Sequence, residues 1–242
     1  MNSEREIQSR VFSNHLNEHG FETLNGVFTF EDCDLLAEEI SAIYTHRQTT
    51  SRKKIGGVRN LLGQSRRVAD FASAPKLKRI LSDRTDRPAF PVRAVFFDKT
   101  PDANWLVPWH QDLTISVSEK ISVAGFSGWS IKDDVLHVQP PREILEGMVV
   151  VRIHLDRCDA ANGALRVISG SHLHGKLSAA QIAEKAKQRA VVCEIAQGGI
   201  LLMSPLLLHS SSPAETPSHR RVLHIDYATQ NLPGGLRWFE AT

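Results

Sequence analysis

Long apolar runs and any imbalance of charge are both missing from this chain of 242 residues. No stretch approaches the roughly 20 consecutive apolar residues of a membrane-spanning helix. The start, Met1 to Glu6, is charged where a secretory signal would be apolar. A cytoplasmic protein without a membrane partner is expected. Lys and Arg number 29 against 27 Asp and Glu, a formal net charge of +2, so no global positive field draws the chain to nucleic acid. The short basic clusters Arg52-Lys53-Lys54 and Arg66-Arg67 lack the interleaved aromatics that stack on bases. Three cysteines, Cys33, Cys158 and Cys193, suit neither a paired disulfide framework nor a thiolate metal site. They read as small buried hydrophobes.

What is present is a globular composition whose first ninety residues are largely helical in pattern. Residues 4 to 19 suit a short surface helix, and Phe21 to Phe28 an extended piece. Thr29, with Asp32 three residues on, opens a helix carrying Leu35, Leu36, Ile40 and Ile43-Tyr44. Thr49 to Gly57 is polar and basic, an exposed loop, and Ser73-Ala74-Pro75 starts another helix. Beyond Pro91 short strand candidates dominate: residues 92 to 97, 105 to 117, 147 to 155, 164 to 168, 190 to 195, 199 to 203, 206 to 209 and 220 to 227. Ser178 to Lys187 interrupts them as a helix with a capping box. Gly125 to Glu146 reads as an insertion that carries Trp129 and makes His137 a loop or surface histidine. Many short strands separated by turns favour a mainly β barrel or sandwich. The expected organisation is one domain over 1–242, with a helical region 1–90 packed on a barrel core 91–228.

Chemistry concentrates at Pro108-Trp109-His110-Gln111-Asp112. Two residues apart on extended chain, His110 and Asp112 leave the backbone on one face. His209, after the runs Ile200 to Met203 and Leu206 to Leu208, supplies a third donor. Two imidazoles and one carboxylate, with positions left open, are the facial set of non-haem Fe(II) oxygenases.

His110-Gln111-Asp112, then Asn162-Gly163-Ala164-Leu165-Arg166-Val167-Ile168-Ser169-Gly170-Ser171-His172, then His209 and Arg220, resemble in that order the phytanoyl-CoA dioxygenase family. The resemblance spans residue 20 to the C-terminus and is strongest over 105 to 228. It implies a double-stranded β-helix, a cupin-like form of jelly roll. It further implies Fe(II), with 2-oxoglutarate and dioxygen as cosubstrates, and release of succinate and CO2. Carried over by position, it makes His110, Asp112 and His209 the iron ligands. Arg220 becomes the partner of the 2-oxoglutarate C5 carboxylate, and Ser211 a hydroxyl that helps hold the same cosubstrate. Strand alternation admits only one of Arg220 and Arg221 to the interior, and the motif match selects Arg220. In related halogenases a small residue replaces the carboxylate; with Asp112 present, hydroxylation of a small organic molecule is expected.

Two further side chains are candidates for the substrate. Trp129 either packs against substrate or closes a core. Arg152, in the strand Met148 to Leu155, shares a side with His154. If inward, it calls for an anion such as an acidic substrate or for a carboxylate partner; the alternative is a side that faces solvent or is satisfied by Asp156 and other polar residues. His224 shares a face with Arg220 and reads as a satisfied core histidine. The competing readings are a metal-dependent isomerase or hydrolase and a non-catalytic ligand-binding barrel; Arg220 within the ordered motif set argues against the first. The substrate and the oligomeric state are not legible.

Overall fold

The computed structural model describes residues 15–50, 57–216 and 218–241. In chain order its strands are β1 (Phe21–Leu24), β2 (Gly57–Arg59), β3 (Phe90–Lys99), β4 (Val107–His110), β5 (Ile115–Val117), β6 (Ser127–Lys132), β7 (Val135–Gln139), β8 (Met148–His154), β9 (Leu165–Val167), β10 (Val191–Val192), β11 (Ile200–Met203), β12 (His209–Ser211) and β13 (Arg220–Ala228). The helices are α1 (His15–His19), α2 (Phe30–Thr50), α3 (Arg66–Ala72), α4 (Pro75–Ser82), α5 (Arg142–Glu146) and α6 (Ala179–Lys185). A major sheet runs β1-β11-β8-β13-β3-β2, a minor sheet β10-β9-β12-β4, and a third β5-β7-β6. Every pairing is antiparallel. Phe21, Val150, Leu201 and Met203 of the major sheet share one buried cluster with Leu165 and Val167 of the minor sheet, so the two sheets face each other as a jelly roll.

Alternation along the central strands decides which chemistry meets which layer. Odd-numbered residues Val149, Val151 and Ile153 on β8, and Leu223, Ile225 and Tyr227 on β13, join Ala94 and Phe96 in the cluster beneath α2, α3 and α4. Leu36, Ile40, Val68, Leu77 and Leu81 are what the helices bury against them. The even-numbered residues Arg152, His154, Arg220, His224 and Asp226 therefore turn to the barrel interior, and all are buried. Over the minor sheet, α6 contributes Ile182 to a small cluster with Ile168, Leu208 and Trp109.

Local signals hold where they rest on side-chain caps. Thr29 and Asp32 exchange reciprocal bonds of 3.1 and 3.0 Å at the start of α2. Ser178 and Gln181 form the capping box of α6. The helix α2 continues to Thr50, so the expected loop begins later, and residues 51–56 lie outside the described residues, as do 4–14 of the first expected helix.

Other expectations are corrected. Gly125 to Glu146 is not an insertion loop: it folds into the β6–β7 hairpin and α5. The hairpin turns on Asp133 and Asp134, at φ 47° and 62°, the paired positive angles of a tight hairpin turn, which aspartate tolerates. His137 is accordingly not a surface histidine. It sits on β7 at 1% exposure and donates from Nδ1 to the Val135 carbonyl at 3.0 Å. The strand expected over 105 to 117 breaks at Gln111, because the following residues are held by bonds outside the ladder. Leu206 to Leu208, apolar enough for a strand, is a turn in which Leu207 N–H reaches the Ser204 carbonyl at 3.0 Å, and β12 starts only at His209.

Trp238 anchors the chain's end, 6% exposed, with Nε1 donating to the Gln230 carbonyl at 3.1 Å; Phe239 stays exposed. All three cysteines are free and buried. No helix among the described residues is long and apolar enough to cross a membrane.

Candidate active site

Register brings the first two histidines together: His209 of β12 is the direct partner of His110 of β4. Their rings lie 4.2 Å apart between centroids, inclined at 51°. Asp112, just beyond β4, points between them, with Oδ1 3.9 Å from His110 Nε2 and Oδ2 3.7 Å from His209 Nε2. One donor atom from each residue falls within 4.8 Å of the others. Each histidine also commits Nδ1–H to a backbone carbonyl two residues earlier, Pro108 or Leu207, at 2.8 Å. That bond fixes the tautomer and leaves Nε2 free, the arrangement of a metal ligand with its orienting partner.

Electrostatics prepare the same set. Burial pushes His209 down to about 4 against the pull of Asp112, so the imidazole is neutral at pH 7. Burial works to raise the Asp112 carboxyl, but His209, His224, His110 and Arg93 together hold it well below the usual carboxylate range. Asp112 Oδ2 is buried with no hydrogen-bond partner. A half-open carboxylate with one oxygen unsatisfied is a costly arrangement unless a cation completes it.

Gln111, between the two candidate ligands, explains why the segment leaves the sheet. Its side chain donates to the carbonyls of Gly175 and Leu206 at 2.8 and 2.6 Å and accepts from Leu177 N–H at 2.8 Å. Asp112 N–H adds a bond to the Pro205 carbonyl at 2.9 Å. Two of these four bonds pin the residues to the turn that precedes His209, and two to the segment Gly175 to Leu177.

The opposite wall comes from the major sheet. Arg220 is 3% exposed, its Nη1 donating to the Gly163 carbonyl and its Nε without a partner. Arg221 faces the other way and forms a two-pronged bond to Asp156 at 2.9 and 2.7 Å. Gly163 must be glycine: at φ +81° a Cβ there would stand 2.5 Å from the Ser212 carbonyl oxygen. The preceding Asn162 ties the turn by exchanging bonds with Asp159 at 2.9 and 3.1 Å. Ser211 is already engaged, donating to the Gly163 carbonyl and accepting from Lys99 Nζ, each at 2.8 Å. Lys99, missed as a site residue, is directly opposite Arg220 in register and 1% exposed. Burial, then the Arg220 charge, lowers its ammonium to about 8. Its signal was position: a lysine closing a strand whose interior face also carries Arg93 and Phe97.

Arg152 also turns inward, 7% exposed, and bonds His224 Nδ1 at 3.0 Å. Trp129 stands apart from this group: half-buried on β6, it packs against the cluster of Phe126, Leu136 and Trp238, with Lys120 Nζ 5.7 Å from its ring.

A family model described as phytanoyl-CoA dioxygenase matches residues 16–222. The chain belongs to the phytanoyl-CoA dioxygenase family. Among solved structures it is similar to AviO1 from Streptomyces viridochromogenes Tue57, at 22% identity and TM-score 0.66, covering 91% of this chain and 95% of that one. Iron-bound HygX from Streptomyces hygroscopicus matches at 15% identity and TM-score 0.63, over 92% of this chain and 87% of its own. The non-haem α-ketoglutarate-dependent carbocyclase SnoK from nogalamycin biosynthesis matches at 13% identity and TM-score 0.69, over 93% and 86%. At these identities the likeness is one of fold. No curated protein matches the chain.

Fe(II), 2-oxoglutarate and dioxygen are the cofactors of the phytanoyl-CoA dioxygenase family, and the residues present fit them. The orphaned Asp112 oxygen and two free Nε2 atoms suit a cation that binds nitrogen and oxygen with open positions remaining. The unpaired Arg220 Nε suits an anion.

Proposed function

We propose that this member of the family hydroxylates a small organic substrate in an Fe(II)- and 2-oxoglutarate-dependent reaction, with release of succinate and CO2. The observation that carries the reading is the convergence of His110 Nε2, His209 Nε2 and an Asp112 carboxylate with no other partner, opposite a buried arginine. His110, Asp112 and His209 hold the iron, and Arg220 receives the C5 carboxylate of the 2-oxo acid. Ser211 acts on that end by fixing Lys99 beside Arg220. Once bound, iron with the 2-oxo acid and dioxygen supplies an oxidant that breaks a C–H bond while the 2-oxo acid is decarboxylated.

The protein's own part is positional. Gln111 and the two backbone carbonyls prevent the ligands from rotating, so the open face keeps its direction. His110 is the outermost ligand, its side chain 38% exposed against 5% for His209, which leaves entry on its side. We assign the primary substrate to that side, bordered by the β6–β7 hairpin, which carries Trp129 and reaches Thr114 through Lys132 at 3.2 Å. A filled carboxylate position at Asp112 favours transfer of hydroxyl.

Aerobic incubation of iron-loaded protein with metabolite pools and 2-oxoglutarate tests this. Succinate is expected to rise above the uncoupled background together with a product heavier by one oxygen. Succinate formed with a product of unchanged or lower mass contradicts hydroxylation and points to an outcome like that named for SnoK; no succinate from any pool contradicts the reading as a whole.

A further inference from the structure

The interior face of the major sheet carries more buried positive charge than its own residues balance. Register stacks its side chains in rungs: Arg220 beside Lys99, Val222 beside His154, His224 beside Arg152, and Asp226 beside Arg93. The last rung is self-contained, since Arg93 and Asp226 meet at 2.6 Å. The others are not. Among the described residues, no carboxylate forms an ion pair with Arg152, Arg220 or Lys99, each at least nine-tenths buried. The Nε atoms of Arg152 and Arg220 and both ring nitrogens of His154 are buried without a hydrogen-bond partner. A buried donor or acceptor left unmade is costly. A polar, anionic ligand spanning these rungs removes the cost.

Resting on the oxygenase reading above, we propose that Arg152 is the second cation of the 2-oxo acid site, binding the C1 carboxylate beside the iron while Arg220 binds the C5 carboxylate. The contact with an acidic primary substrate that an inward arginine suggests is thereby reassigned to the cosubstrate. Three observations place it there. Two rungs separate Arg152 from Arg220 along the sheet, four residues or about 13 Å between backbones, and both side chains are buried on the same interior face. His154, between them, has neither ring nitrogen engaged. Both Arg220 and Asp112 act on the Arg152 charge, so its guanidinium is within electrostatic reach of the anchor and of a candidate iron ligand.

Arg152 is also held in place for the task. Guanidinium only donates, so His224 Nδ1 accepts from it, and His224 Nε2–H then donates to Asp226 Oδ1 at 2.9 Å. Asp226 Oδ2 accepts in turn from Arg93 at 2.6 Å. The chain fixes one prong of Arg152, and the Phe97 ring lies 5.8 Å from its guanidinium carbon. Nε remains for a ligand. His224 and Asp226 are positioning residues in this scheme.

Anaerobic titration of iron-loaded protein separates the two ends, read by the visible charge-transfer band of chelated ferrous iron rather than by turnover. The ligands are 2-oxoglutarate and 2-oxobutanoate, which shares the C1 end and lacks the C5 carboxylate. Arg152→Gln is expected to weaken both acids by a similar factor, about 10- to 150-fold for a lost charge-assisted hydrogen bond. Arg220→Gln weakens 2-oxoglutarate alone. Arg152→Lys, which keeps the charge without the planar fork, falls between parent and Arg152→Gln and carries the test if the latter does not fold. Arg152 variants that bind both acids as the parent does, or that lose 2-oxoglutarate only, overturn the assignment. A parent protein without a band overturns the oxygenase reading and this proposal with it, so the two failures are told apart.

Discussion

Asp112→Ala is expected to abolish turnover and to weaken iron binding by more than about 100-fold, while the metal-free protein stays as stable as the parent or gains slightly. Loss of an orienting partner alone costs about 10–100-fold in metal affinity, and Asp112 is itself a ligand in the proposed site. Stability changes little because the cost of the unsatisfied oxygen is offset by the neighbouring groups, Arg93 among them, that favour the charged carboxylate. Oδ2 is buried without a bond, and the segment is pinned by its own N–H and by Gln111. Removing an unsatisfied buried oxygen relieves a cost, a common cause of functional sites being less stable than their surroundings. Iron should raise the melting temperature of the parent and leave that of the variant unmoved. A variant that binds iron as tightly as the parent, or that unfolds several degrees earlier without metal, contradicts this.

The second large effect separates neighbours in sequence. Arg220→Leu should weaken 2-oxoglutarate by about 30-fold or more, the equivalent of some 2 kcal/mol for a buried arginine–carboxylate contact. Arg221→Leu should change that affinity by less than about threefold, because its guanidinium is spent on Asp156 on the far side of β13. Its loss costs about 1 kcal/mol of stability or less, as for a partly exposed ion pair. Isothermal titration with iron-loaded protein and urea unfolding measure the two quantities. Equal losses of affinity from both substitutions would mean that the strand does not present Arg220 alone to the interior.

The legible parts of the site were those where chemistry and spacing coincide. A His-x-Asp pair, a distal histidine and an arginine eleven residues beyond it are spaced in the chain so that register alone assembles them, with His209 opposite His110 and Arg220 turned inward. Capping boxes at Thr29 and Ser178 were equally local and equally readable. What escaped depends on contacts between distant segments. Apolar Leu206 to Leu208 looks like strand, but Ser204 and Pro205 turn it. Gly125 to Glu146 looks like loop because its hairpin turns on Asp133-Asp134 rather than on a glycine pair. Lys99 sits in a polar stretch and becomes a site residue only through β13 beside it. The chain Arg152, His224, Asp226, Arg93 crosses three strands and 133 positions of sequence, beyond the reach of any short motif.

The most direct test of the proposed centre is an anaerobic titration of the protein, shown by metal analysis to hold one ferrous ion per chain, with 2-oxoglutarate. A weak visible absorption band that saturates at one equivalent, is absent when either component is omitted and is lost in His209→Ala is the predicted result. Colourless protein at full iron occupancy and saturating 2-oxoglutarate would show that His110, Asp112 and His209 do not present the open face required of them.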